Sequence, residues 1–153
     1  MYKSILVPFD NSDHARNALT SALELGKQLG SQVTILSVSD IPDFEDASYE
    51  VAVRLAVMER PTAEQMQEMQ HAYYAARKQE LLDSTKDLVE GYDNVEYRAT
   101  AGKAQTVITE FAESGNYDLI IMGCRGLNAL RGALGSVSYA VARSVKIPVM
   151  IVR

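Results

Sequence analysis

The chain has 153 residues, of which 47% are hydrophobic and 23% charged, with a formal net charge of −5. Such figures belong to a globular protein able to bury a core of its own, and they exclude a disordered chain. The acidic balance argues against general nucleic-acid binding, and the single cysteine, Cys124, permits neither an internal disulfide nor a cysteine metal cluster.

Met1 leads into YKSILVPFD without a basic flank and long apolar segment, and no run of about 18 apolar residues follows. The expectation is a cytoplasmic protein with no membrane partner, one domain over residues 1–153. The stretch SILVPF, 4–9, is apolar and β-branched, as a strand buried on both faces should be. In the next segment Ala15, Ala18, Leu19, Ala22, Leu25 and Leu29 recur at helical spacing, with Ser12 to cap the start and Gly30 to end it. A second strand, QVTILSV, covers 32–38.

Residues 41–61 fit least well. Val51, Val53, Leu55 and Val57 alternate, yet Arg54 interrupts them. Such a segment either folds over a ligand or packs on the sheet end or a neighbouring subunit. A long helix then spans 62–90, opened by Thr62 and Gln65 at capping-box spacing, with Met66, Met69, Tyr73, Leu81 and Leu88 on its inner face. Strand VEYRAT, 95–100, precedes a helix over 104–114 that buries Val107, Ile108 and Phe111. Strand YDLIIMG, 117–123, leads through a glycine-rich turn to a helix starting near Ser136, which turns Val137, Ala140, Val141 and Val145 inward. PVMIVR, 148–153, is the last strand.

This alternation predicts an α/β fold: a doubly wound, open, parallel five-stranded sheet with helices on both faces, Rossmann-like in outline. Ligands of such folds sit outside the carboxyl ends of the strands, where the winding reverses. A final strand at the sheet edge would pair with a second copy about a two-fold axis, predicting a homodimer through 148–153.

The turn GCRGLNALRGALGSVS, 123–138, concentrates the chemistry. From Cys124 to Arg153 there are five basic residues and no acidic one, whereas residues 1–123 carry ten basic and twenty acidic side chains. A basic segment on an acidic body suits a small polyanion. Gly123 and Gly126 bracket the exit from the strand, Arg125 offers an ionised donor, and Gly135, Ser136, Val137 and Ser138 place bare amides and hydroxyls at a helix N-terminus, where phosphate binds well. The plainer reading is a sharp turn with a serine N-cap. No GxxxxGK[ST] occurs, and DNSD rather than GxGxxG follows the first strand, which disfavours a P-loop and the usual dinucleotide site.

The tail resembles that of the universal stress proteins, whose ATP-binding members have G-x2-G-x9-G-[ST] before a helix and a last strand containing P-V. Here Gly123, Gly126, Gly135 and Ser136 match, with eight residues rather than nine between Gly126 and Gly135. ILVPFDNSDHARNAL, GKAQTVI and IPVMIVR resemble the family's opening, third helix entry and close. The resemblance implies that Pro8, Phe9 and Asp10 hold the adenine and ribose end, that the Val38 backbone recognises adenine, that Gly102 admits ribose and that Met122 walls the nucleotide. It implies ATP, with Mg2+ in company, as ligand, and the same homodimer.

A reaction is harder to find. Asp10 or Ser136 can help hold magnesium, but no carboxylate cluster marks a metal site, and no catalytic residue is assigned. His14 and His71 read as solvated helix residues, and GSVS lacks the G-x-S-x-G form of a hydrolase nucleophile. Cys124 reads as a small side chain filling a tight turn, with redox sensing as the alternative. The expected function is nucleotide binding for regulation or stress response with slow or no hydrolysis. A dimeric interaction module without nucleotide and a true ATPase remain the other readings.

Overall fold

Strands form where β-branched and aliphatic residues run together, and the computed structural model places them at β1 (Ser4–Pro8), β2 (Gln32–Ser39), β3 (Val95–Ala101), β4 (Leu119–Gly123) and β5 (Val149–Val152). Between them lie α1 (Asp13–Leu29), α2 (Ala63–Val89), α3 (Ala104–Glu113) and α4 (Ser136–Ser144). The structure describes residues 2–39, 62–114, 116–125 and 134–153. The expectations for 41–61 and for Gly126 lie outside the described residues.

The five strands are parallel in the order β3-β2-β1-β4-β5. The chain winds outward from β1 to β3, then returns to β4 on the other side of β1, so the winding reverses between β1 and β4. Side chains alternate across the sheet and divide the core. Ile5, Val7, Ile35 and Ile121 pack with Ala18, Leu19, Ala22 and Leu81 of α1 and α2. Leu6, Leu36, Ile120 and Met122 pack with Ile108, Ala112 and Val141 of α3 and α4. This is the doubly wound arrangement expected from the sequence.

The caps follow the expected chemistry. The Ser12 hydroxyl accepts from the Ala15 N–H at 3.2 Å, and Gly30 closes α1 at φ 68°. Thr62 and Gln65 form the reciprocal capping box of α2. The proposed inner face of α2 is only half realised. Leu81 is buried and Leu88 half-buried, but Met69 is 39% exposed. Length explains the difference: 27 residues of helix span about 40 Å, whereas the eight residues of β2 span about 26 Å. Running antiparallel to the strands, α2 packs with its C-terminal half and projects its N-terminal half past the carboxyl edge of the sheet.

Candidate functional site

A crevice opens at that edge because β1 parts from β4 early. The two strands pair only at Ile5↔Leu119 and Leu6↔Ile120, whereas β1 stays with β2 as far as Pro8↔Leu36. The resulting cleft has a volume of about 860 Å³, within the range of small-molecule sites.

One wall is the end of β1. Pro8, Phe9 and Asp10 line it together with Asn11, which turns the chain at φ 62°, a conformation asparagine tolerates better than most residues. One Asp10 carboxylate oxygen accepts from the Ser12 N–H at 3.1 Å and the Ser12 hydroxyl at 2.6 Å. Asp10 therefore supports the serine that caps α1, and Ser12 itself is the cap.

The second wall is the end of β2. The Gln32 N–H donates to Lys3 and the Phe9 N–H to the Leu36 carbonyl, so even-numbered residues of β2 turn their main chain toward β1. Val38 continues that series where β1 has ended, and it lines the cleft. Its peptide groups are thus presented to the crevice by strand alternation.

The third wall joins β4 to α4. Met122, Gly123 and Arg125 line it, as do Gly135, Ser136, Val137 and Ser138. The Gly135 N–H donates to the Cys124 carbonyl at 2.7 Å, and the Ser138 hydroxyl reaches the same carbonyl at 3.0 Å. That hydroxyl is buried and spent on the main chain. The N-cap of α4 is Gly135, without any side-chain cap bond, so the helix starts at Ser136 as expected, the plainer reading of a serine cap is not realised, and the serines stand inside the first turn. The first intrahelical bond runs from the Tyr139 N–H to the Gly135 carbonyl at 2.9 Å. The amides of Ser136, Val137 and Ser138 find no main-chain acceptor among the described residues. Open amides and the positive end of the helix dipole favour an anion there.

Gly123 and Gly135 also serve the fold. A Cβ on Gly123 would lie 2.8 Å from the His14 carbonyl carbon and 2.9 Å from the Ala15 nitrogen, in the first turn of α1. One on Gly135 would lie 3.2 Å from both Arg125 Cα and the Cys124 oxygen. Gly102 is not part of the cleft lining; at φ 136° it makes a turn whose N–H donates to the Ser39 carbonyl. Buried Cys124 places its sulfur 3.7 Å from His14 Nδ1. Among the described residues no group of three or more His, Cys, Asp or Glu gathers to hold a metal, and no helix is long and apolar enough to cross a membrane.

One wall was not legible in the sequence. Arg77, Glu80 and Ser84 of α2 line the cleft beside Ala104 and Ile108 of α3. The i, i+4 row of Tyr73, Arg77 and Leu81 was the available signal, but only the overhang of α2 shows that it ends at the cleft.

Known proteins share this fold. A universal stress protein of Methanocaldococcus jannaschii is 29% identical over 159 residues, covering 100% of this chain and 83% of the relative. The solved universal stress protein UspA from Lactobacillus plantarum has a TM-score of 0.74 at 24% identity, covering 99% of this chain and 98% of that one. A universal stress protein solved in complex with cAMP has a TM-score of 0.65 at 25% identity, covering 99% and 97% of the two chains. The Universal stress protein family matches residues 1–153, and the chain belongs to it.

Proposed function

We propose that the cleft binds an adenine nucleotide, ATP in the first instance, and that the chain is a regulatory stress-response module that turns the nucleotide over slowly or not at all. The observation that carries this reading is the bare N-terminus of α4: Gly135 leaves its amides uncapped at the mouth of a cleft lined also by Arg125. Phosphates lie there. The nucleoside then extends toward Pro8, Phe9, Asp10 and the Val38 main chain, with Met122 behind it. The complex of a family member with cAMP supports an adenine ligand. Magnesium enters with the triphosphate, and Asp10 and the Ser136 hydroxyl are the cleft groups suited to meet it.

We propose the homodimer on a separate observation. β5 lies at one edge of the sheet, with β3 at the other. The carbonyls of Pro148 and Val152 accept from β4, so alternation turns the peptide groups of Val149 and Ile151 to the open edge. A second copy pairing antiparallel about Met150 satisfies both.

Calorimetry with ATP, ADP, AMP, cAMP, adenosine and inorganic triphosphate, with and without magnesium, tests the binding. Saturable 1:1 binding that strengthens with phosphate number is expected; no heat and no thermal shift with any of them would overturn the proposal. A sustained turnover near the typical enzyme rate of about 10 per second would replace the regulatory reading with the ATPase one.

A further inference from the structure

We propose that Arg77 of α2 reads the nucleoside end of the ligand and is a specificity-determining residue of the cleft, an inference that rests on the nucleotide reading above. Arg77 lines the cleft from α2, one helical turn before Leu81, whose burial fixes α2 on the sheet. Its guanidinium lies over the Tyr73 ring at 5.4 Å, and the Tyr73 hydroxyl donates to the Ser39 hydroxyl at 2.8 Å at the end of β2. The arginine is thus tied to the strand end that carries Val38, and it stands on a different wall from the α4 amides.

Its hydrogen bonding is incomplete on one edge. Nη1 donates to Glu80 Oε2 at 2.8 Å. Nε is shielded from water and has no partner, and Nη2 makes no hydrogen bond among the described residues. The unpaired edge is the fork of two parallel donors that arginine uses for planar acceptors. An unsatisfied buried donor is costly in a finished structure. A ligand acceptor from the base or ribose satisfies it after a small rotation about the side chain, with Glu80 keeping hold of Nη1. The side chain is 41% exposed, so such a rotation meets little packing.

The test compares wild type, Arg77→Met, Arg77→Lys and Arg125→Met in calorimetry with adenosine, AMP and ATP. Loss of a charged donor to the ligand weakens binding by about tenfold. Arg77→Met should weaken all three ligands by that same factor. Arg77→Lys should do likewise, because it keeps the charge but lacks the fork. Arg125→Met should weaken ATP and spare adenosine. Unchanged adenosine affinity in Arg77→Met, a loss that grows with phosphate number, or full rescue by lysine each overturns the assignment. If wild type binds none of the three, the nucleotide reading itself has failed, an outcome distinct from wild-type binding with Arg77 silent. Thermal melting of each variant confirms that it is folded.

Discussion

Gly135 is the most informative position to perturb, because it is the N-cap of α4 and offers its amides no side chain. An aspartate there would accept from an amide of the first turn as N-caps do, and would place a negative charge where the phosphates are proposed to lie. Two unit charges 4 Å apart at an effective dielectric near 20 repel by about 4 kcal/mol, roughly a thousandfold in affinity. Asparagine caps without charge and withdraws one donor, at about 1 to 1.5 kcal/mol, on the order of tenfold. Alanine neither caps nor repels. All three share a Cβ 3.2 Å from Arg125 Cα and the Cys124 oxygen, so the strand exit must give by a few tenths of an ångström. That crowding offsets the gain from the cap, and each variant should stay within about 1 kcal/mol of wild type, some 2–4 °C in melting midpoint. Calorimetry should rank ATP affinity as alanine above asparagine above aspartate, with adenosine equal in all. A folded aspartate variant that binds ATP within threefold of wild type would refute the placement of the phosphates. So would adenosine affinity that falls in step with ATP.

Other outcomes follow from single contacts. Gly123→Ala forces a Cβ to within 2.9 Å of main-chain atoms of α1, which cannot rotate away, and should cost about 2–3 kcal/mol in denaturant unfolding; a cost below 0.5 kcal/mol would show that α1 shifts freely. Ile151→Pro removes an edge-facing N–H from each copy and leaves the β4 ladder intact, so dimer dissociation measured by ultracentrifugation should rise about thirtyfold, for two bonds at about 1 kcal/mol each. An unchanged dimer would place the interface elsewhere. Burial raises the Tyr92 phenol above its ordinary value of 10.0, and its hydroxyl donates to the Ser31 carbonyl, as Asn94 Nδ2 also does at 3.0 Å. A raised acid of this kind contributes stability that is whole below the unfolded pKa and is lost as pH climbs through the folded one. Wild type should therefore lose its stability advantage over Tyr92→Phe above about pH 10; an advantage that is flat or growing there contradicts the assignment.

What could be read from the sequence was what local pattern controls. Ser12, Gly30 and the Thr62–Gln65 box mark helix ends through bonds made within a few residues, and all three are formed. β1, β2 and β4 were legible because parallel strands buried on both faces are near-continuous apolar runs, and the crevice followed from the alternation of strands with helices. The α2 wall was not legible, because it depends on a length mismatch between the helix and the strands it packs on. For the same reason Met69 was placed inward: amphipathic spacing says which side of a helix is apolar, not how far along its axis the sheet extends. The start of α4 near Ser136 was legible as well, and only the plainer reading of it, a serine N-cap, is not realised. The Gly135 N–H is held on the Cys124 carbonyl, which leaves the glycine as N-cap and the amides behind it open.

A glycine in such a motif serves either packing or the approach of a ligand. Gly123 is needed by α1 whether or not anything binds, since a Cβ there would meet main-chain atoms at 2.8–2.9 Å, whereas Gly135 is only crowded, at 3.2 Å. A relative that had lost its ligand would keep Gly123 for packing, so that glycine alone cannot separate a nucleotide-binding chain from an interaction module. The discriminating features cost the fold something when no ligand is there: uncapped amides at α4, the Val38 peptide turned toward an ended strand, and the unpaired donor of Arg77. Each is a polar group left without a partner in a region the fold could have closed with one more side chain. Filling such a position in a chain with no ligand to bind should stabilise it, which is why Gly135→Asn is informative beyond its affinity. If, relative to Gly135→Ala, which shares its Cβ but not its cap, it raises the melting point of the apo protein while lowering that of the protein saturated with ATP, the open helix end is kept for the nucleotide. If it moves both by the same amount, the opening has no connection to binding.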